Sequence, residues 1–189
     1  NLGNLIAKDP NRRSEAEATG RRAIELNPKE AWLWNNLGLL LAKGPNRGSE
    51  AEAAFRKAIE FDPANARFWN DLGMLLAWDS KRKAEAEAAF RKAIELDPAA
   101  PRPWIGLGDV VAKDNVRKTE AEAAVRKAIE LDPTGAWQWI NLGRFLDRDT
   151  NRRAEAEAAF RKAIELDAAD AWAWMSLGLF LAKDRNRKA

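Results

Sequence analysis

The glutamates of "SEAEAAFRKAIEFDP" (residues 49–63) are the first candidates for chemistry, because two carboxylates held close together can serve as general acid and general base. Near copies of this stretch occur from residues 84, 119 and 154. Within it Glu52, Arg56 and Glu60 follow at i, i+4 and i+8. On a helix these residues share one face, where opposite charges pair for roughly 0.2–0.5 kcal/mol each. The carboxylates are therefore expected to be solvated helix-surface charges, not a catalytic couple. The chain has no histidine and no cysteine, which removes the commonest general base and metal ligand, any thiolate zinc site and any disulfide framework. No phosphate-cradling glycine loop, metal-ligand cluster or nucleophile elbow appears, and "NLGLLLAKG" reads as helix. No enzyme, cofactor or metal site is expected in these residues.

What the side chains can do instead is bind. Asn36 and Asn141, with Asn1 at the matching place, each offer a donor and an acceptor suited to a peptide amide. Positioning them requires regular elements, and a fixed period supplies these. Leu-Gly recurs at Leu2-Gly3, Leu37-Gly38, Leu72-Gly73, Leu107-Gly108, Leu142-Gly143 and Leu177-Gly178, always 35 residues apart. Trp34, Trp69, Trp104, Trp139 and Trp174 precede the last five. Trp34, Leu37, Gly38 and Leu41 step as i, i+3, i+4, i+7, and Ala51, Ala54, Phe55 and Ala58 do the same further on. Each copy is thus two amphipathic helices joined by a turn such as "KGPNRG" or "WDSKRK". Ser14, Ser49 and Thr119, with the hydroxyl missing at Ala84 and Ala154, stand at capping-box spacing from a glutamate and are expected to cap the second helix. Proline in "LDP" or "NP" closes it.

Trp34, Leu37, Gly38, Ala51, Phe55, Ala58 and Pro63 match the pattern W-x2-L-G, A-x3-F and closing P, and through them the chain resembles the tetratricopeptide repeat family. The resemblance runs the whole length, with a 35-residue period in place of the family's usual 34 and Leu41, Leu76, Val111, Leu146 or Leu181 where the family has Tyr. Gly20 and Val125 depart from the Phe column and Ala168 from the closing Pro. The resemblance implies an all-α, right-handed superhelical solenoid of antiparallel helix pairs. Residues 1–30 would be a partial repeat, 31–65, 66–100, 101–135 and 136–170 full repeats, and 171–189 a first helix only. The repeated tryptophans are expected in the core, and Gly38 and its equivalents are expected to let backbones approach Ala51 and its equivalents.

The family lines its concave face with first helices, and there the copies differ. One column holds Trp32, Arg67, Arg102, Trp137 and Trp172, and the next Asn35, Asn70, Ile105, Ile140 and Met175. Asn36, Asp71, Gly106, Asn141 and Ser176 follow, then Leu39, Met74, Asp109, Arg144 and Leu179, and near the helix ends Lys43, Trp78, Lys113, Arg148 and Lys183. The groove expected to bind an extended peptide or partner segment comprises Trp32, Asn36, Arg67, Asn70, Asp71, Met74, Trp78, Arg102, Ile105, Asp109, Trp137, Ile140, Asn141, Arg144, Trp172 and Met175. Asn36 and Asn141 look like members of the asparagine ladder of the O-GlcNAc transferase repeat domain, interrupted at Asp71, Gly106 and Ser176. Asn4, Asn36 and Arg67 match the carboxylate clamp of chaperone-tail relatives, but Asp71 stands where that clamp has a cation, so such a clamp is not expected.

The formal charge is +3 and the isoelectric point about 9.3. Asp9, Asp79, Asp114 and Asp149 sit three residues before a repeated arginine and are expected to pair with it. Nucleic acid, which needs uncompensated cations, is not an expected partner. Mean hydropathy is -0.52, and no uncharged apolar run approaches the roughly 18 residues of a membrane span. No secretory signal is visible and a cytoplasmic location is favoured. The array opens inside a first helix and ends after one, leaving Trp174, Phe180 and Leu181 without a second helix, so head-to-tail self-assembly is the alternative expectation.

Overall fold

A computed structural model describes the backbone of residues 10–185; Asn1, Leu2-Gly3, Asn4, Asp9 and Arg187 lie outside the described residues. In chain order the α-helices are α1 (Pro10–Leu26), α2 (Ala31–Ala42), α3 (Gly48–Phe61), α4 (Ala66–Leu76), α5 (Lys83–Leu96), α6 (Pro101–Val111), α7 (Lys118–Leu131), α8 (Ala136–Leu146), α9 (Arg153–Leu166) and α10 (Ala171–Arg185). Single 3-10 turns precede α5, α7 and α9. The second helices are written almost wholly in strong helix formers, as in "KAEAEAAFRKAIEL" of α5. Each full repeat pairs a first helix with the second helix that follows it: α2 with α3, α4 with α5, α6 with α7 and α8 with α9. The chain divides into two compact units, Asn1–Pro98 and Ala99–Ala189.

Close pairing rests on a glycine, though its partner is the aromatic ring. A Cβ on Gly38 would lie 2.7 Å from the Phe55 ring, one on Gly73 2.9 Å from Phe90 and one on Gly143 2.7 Å from Phe160. At Gly108 the same atom would meet Val125 at 2.7 Å and the Ala121 carbonyl at 3.1 Å. The rings are fully enclosed beside Ala51, Ala54 and Ala58 and their equivalents, whose small side chains admit them. In the second unit Ile140, Leu142, Phe160, Ala173, Leu177 and Phe180 form one core cluster.

The repeated tryptophans differ from expectation. Trp34, Trp69 and Trp139 are only half-buried, because each indole edge must reach a backbone acceptor outside the apolar layer. Their Nε1–H groups donate to the carbonyls of Pro28, Pro63 and Pro133 at 2.9, 3.0 and 3.2 Å. Trp174 donates likewise to Ala168 at 2.9 Å. Each indole therefore pins the turn that precedes its own helix.

The turns are also capped differently. Ser14, Ser49 and Thr119 lie inside their helices, and Arg47 and Arg117 hold the N-cap positions of α3 and α7. Capping passes to the aspartates: Asp79, Asp114 and Asp149 accept from the backbone N–H of Lys81, Val116 and Asn151 at 2.8, 3.0 and 2.9 Å. The turn before α3 lacks such an aspartate and uses Asn46 at φ 57°, in the left-handed region that asparagine tolerates.

With the aspartates engaged as caps, the repeated arginines pair with glutamates. Arg82 donates through Nη2 to Glu52 and through Nε to Glu85, both at 2.8 Å. Arg47 does the same with Glu17 (2.9 Å) and Glu50 (2.8 Å), and Arg152 with Glu122 and Glu155 (both 2.9 Å). Each of these arginines ties a second helix to its counterpart one repeat earlier, through carboxylates at Glu17, Glu52 and Glu122 that are mostly shielded from solvent. Arg56 also bonds Glu52 at 2.8 Å, while Glu60 takes Lys57 at 2.8 Å instead of closing the run with Arg56. The guanidinium of Arg82, then that of Arg56, holds the Glu52 carboxyl down at about 2, and Arg47 with Arg21 does so for Glu17. The glutamates of the opening stretch are structural.

Candidate binding faces

Exposed apolar surface is distributed unevenly. Among the described residues the exposed large apolar side chains, apart from Leu26 and Val116, stand on first helices or, for Trp78, just past the end of one. The second helices turn charged residues outward and pair them along the helix. Most of the exposed large apolar side chains therefore belong to one set of elements.

In the first unit, α2 and α4 present Trp32, Asn36, Arg67 and Met74, with Trp78 89% exposed beyond α4. Asn70 is buried and Asp71 mostly so. Asn35 faces the neighbouring first helix, where its Nδ2 donates to Asp71 Oδ2 at 3.0 Å, and within α4 Asn70 Nδ2 donates to Asp71 Oδ1 at 3.2 Å. Arg67 Nε lies 3.8 Å from Asp71. Asp71 is thus the hub of a polar contact between α2 and α4, which joins Asn35 to a group that spacing alone placed in an open groove.

In the second unit, α6, α8 and α10 present Arg102, Trp137, Arg144, Trp172 and Met175, the three apolar side chains among them 46–56% exposed. Ile105 and Ile140 are core residues, since their column packs between adjacent first helices. Asn141 is also buried and internally bonded: Nδ2 donates to the Trp137 carbonyl at 2.7 Å, and Oδ1 accepts from Arg144 Nη1 at 3.4 Å. It braces the arginine, and its amide is enclosed rather than presented to solvent. Asp109 is largely enclosed, and burial pushes its carboxyl up from the usual range against the pull of Arg144, Arg148 and Lys113. Arg148, which belongs with these groups, sits in a column that varies from Lys43 to Trp78, and its Nη1 donates to the Ala112 carbonyl at 3.2 Å. No group of His, Cys, Asp and Glu able to hold a metal occurs among the described residues. No helix there is long and apolar enough to cross a membrane.

Repeated helix pairs, clasped by a glycine against a ring or, at Gly108, against Val125, with variable side chains on one helix of the pair, define an all-α helical-repeat protein. A tetratricopeptide repeat model matches residues 7–66, 46–101 and 74–136, and a second one matches residues 139–170. The chain belongs to the tetratricopeptide repeat family, and its fold is the all-α fold of that family. Such a fold supports a protein-interaction scaffold. Among solved structures, the chain is similar to YrrB, described as a tetratricopeptide repeat protein with an unusual peptide-binding site, at 26% identity, covering 89% of this chain and 84% of that one with a TM-score of 0.60. It is also similar to TTC0263, a thermophilic repeat protein of Thermus thermophilus, at 18% identity, 91% and 92% coverage and a TM-score of 0.80. A MamA structure matches at 20% identity, 90% and 97% coverage and a TM-score of 0.66. Among curated proteins, none matches the chain significantly in sequence.

Proposed function

We propose that the chain is a non-enzymatic scaffold that binds an extended segment of a partner protein on the first-helix face of each unit. The observation that carries this reading is that the exposed Trp and Met side chains stand on the first helices or, for Trp78, just past the end of one, while the second helices are ion-paired. Trp137 and Trp172 supply large rigid contact surfaces of the kind that dominates binding energy. Asn36 in the first unit is available for a peptide amide. The peptide-binding site named for YrrB supports the same use of the fold. Peptides selected against the chain from a random display library test the reading. Replacing Trp137 and Trp172 by Ala is expected to abolish their binding while helicity by circular dichroism stays unchanged. Undiminished binding by the doubly substituted chain would sink the assignment.

A second reading is favoured by α10. Gly178 has nothing within 4 Å of an added Cβ, where Gly38, Gly73 and Gly143 meet a ring, and Trp174 is 54% exposed where Trp34, Trp69 and Trp139 are half-buried. We infer from this uncovered face that a further copy of the chain can pack on α10 head to tail. Sedimentation velocity over a hundredfold concentration range is expected to show growth into larger species. A mass independent of concentration removes this reading.

A further inference from the structure

We propose that the second unit's first-helix face selects a segment carrying an acidic residue about three positions from a large apolar one. The inference rests on the peptide-binding reading above and names the chemistry of the partner. Arginines on the second helices of this unit, or at the N-cap of one, are matched: Arg126 with Glu122, Arg152 with Glu122 and Glu155, Arg161 with Glu157. On the first-helix side the pattern changes. Arg144 bonds the neutral Oδ1 of Asn141, and Arg148 bonds the backbone carbonyl of Ala112. Each guanidinium has five N–H donors, so most of their capacity remains for an incoming anion. Asp109 is the carboxylate on which both arginines act. The nearby Asp147 is engaged by Lys183 and Arg153, and the Asp149 carboxylate caps the Asn151 N–H. The local balance is positive, unlike the paired outer surface.

Spacing then fixes the recognised pattern. Trp137 and Arg144 are seven residues apart on α8, about 10.5 Å along the axis at 1.5 Å per residue. A segment in the polyproline II conformation advances about 3.1 Å per residue with three residues per turn, so side chains three positions apart lie on one side of it and span about 9 Å between the two. The buried Asn141, bonded to both the Trp137 carbonyl and the Arg144 guanidinium, holds these two contact points in register. The apolar side chain would rest between Trp137 and Trp172, with Met175 beside them, and the carboxylate would meet the two arginines.

Fluorescence anisotropy with labelled ten-residue peptides tests this directly. Three peptides differ only in carrying Glu, Gln or Lys three positions from a Leu, each made with the charged residue before and after it. In one of the two orders the Glu peptide is expected to bind at least fivefold more tightly than the Gln peptide and the Lys peptide most weakly. Raising the salt should shrink that difference. The exposed pair Arg144→Glu and Arg148→Glu, with helicity retained, should reverse the order. Equal binding of all three overturns the acidic preference and leaves the peptide-binding reading standing. If display-selected peptides bind through Trp137 and these six do not, the three-position pattern is overturned alone. Failure of every peptide to bind overturns both. Stronger binding of a twelve-residue oligothymidine than of the Glu peptide would overturn the assignment to a peptide, because stacked tryptophans and arginines also suit single-stranded nucleic acid.

Discussion

Glu52 shows how a residue that looks reactive is spent on cohesion. Arg82 and Arg56 hold its carboxyl at about 2, as Arg47 and Arg21 hold that of Glu17, and Arg152 lowers that of Glu122. An unfolded glutamate titrates near 4.3, so the folded state binds these protons less tightly than the unfolded chain. Their contribution to stability is full above the unfolded value and is lost as pH falls from about 5 towards 2. Asp109 runs the other way, since burial raises its carboxyl, but it is one group against several. Thermal melting is therefore expected to hold level from pH 7 to 5 and then to fall steadily down to pH 2. Replacing Glu52 and Glu122 by Gln should lower the neutral-pH melting temperature and flatten the acid limb; an unchanged limb would show that the pairs do not act as described.

At the scale of the helix pair, the glycine and the ring it faces decide the approach. Gly73→Ala places a Cβ 2.9 Å from Phe90, which is enclosed on all sides, and overpacking of this kind costs about 1–3 kcal/mol. Gly178→Ala meets open space and, on a helix, exchanges a poor helix former for the best one. Chemical denaturation should thus report a loss for the first variant and no loss for the second. Equal effects would mean that the glycine column serves helix propensity and not packing.

The pairing itself is legible in the 35-residue period, because Trp, Leu, Gly, Ala and Phe recur at fixed helical steps. What local spacing cannot carry is a contact made between repeats. Asp79 three residues before Arg82 fits an ion pair or a turn cap equally well in sequence. The structure uses Asp79 as a cap, and Arg82 finds Glu52 thirty residues back. The groove columns divide as well. Trp32, Arg67, Met74, Trp137, Arg144 and Trp172 are exposed, whereas Asn70, Ile105, Ile140 and Asn141 are buried, which the spacing within one helix does not show. Arg148 is visible in the sequence only as one member of a variable column.

At the scale of the whole chain, the proposed division between packing and recognition can be followed through the nine tryptophans. Trp34, Trp69, Trp139 and Trp174 have indole N–H groups committed to backbone carbonyls. Trp137 and Trp172 are exposed on the second unit's face. A proton–nitrogen correlation spectrum of the indoles, assigned by single Trp→Phe replacements and followed while a display-selected peptide is added, separates the two sets. The account predicts that the Trp137 and Trp172 signals move with the peptide concentration while those of Trp34 and Trp139 stay in place. Movement of the carbonyl-bonded indoles with Trp137 and Trp172 unmoved would contradict it.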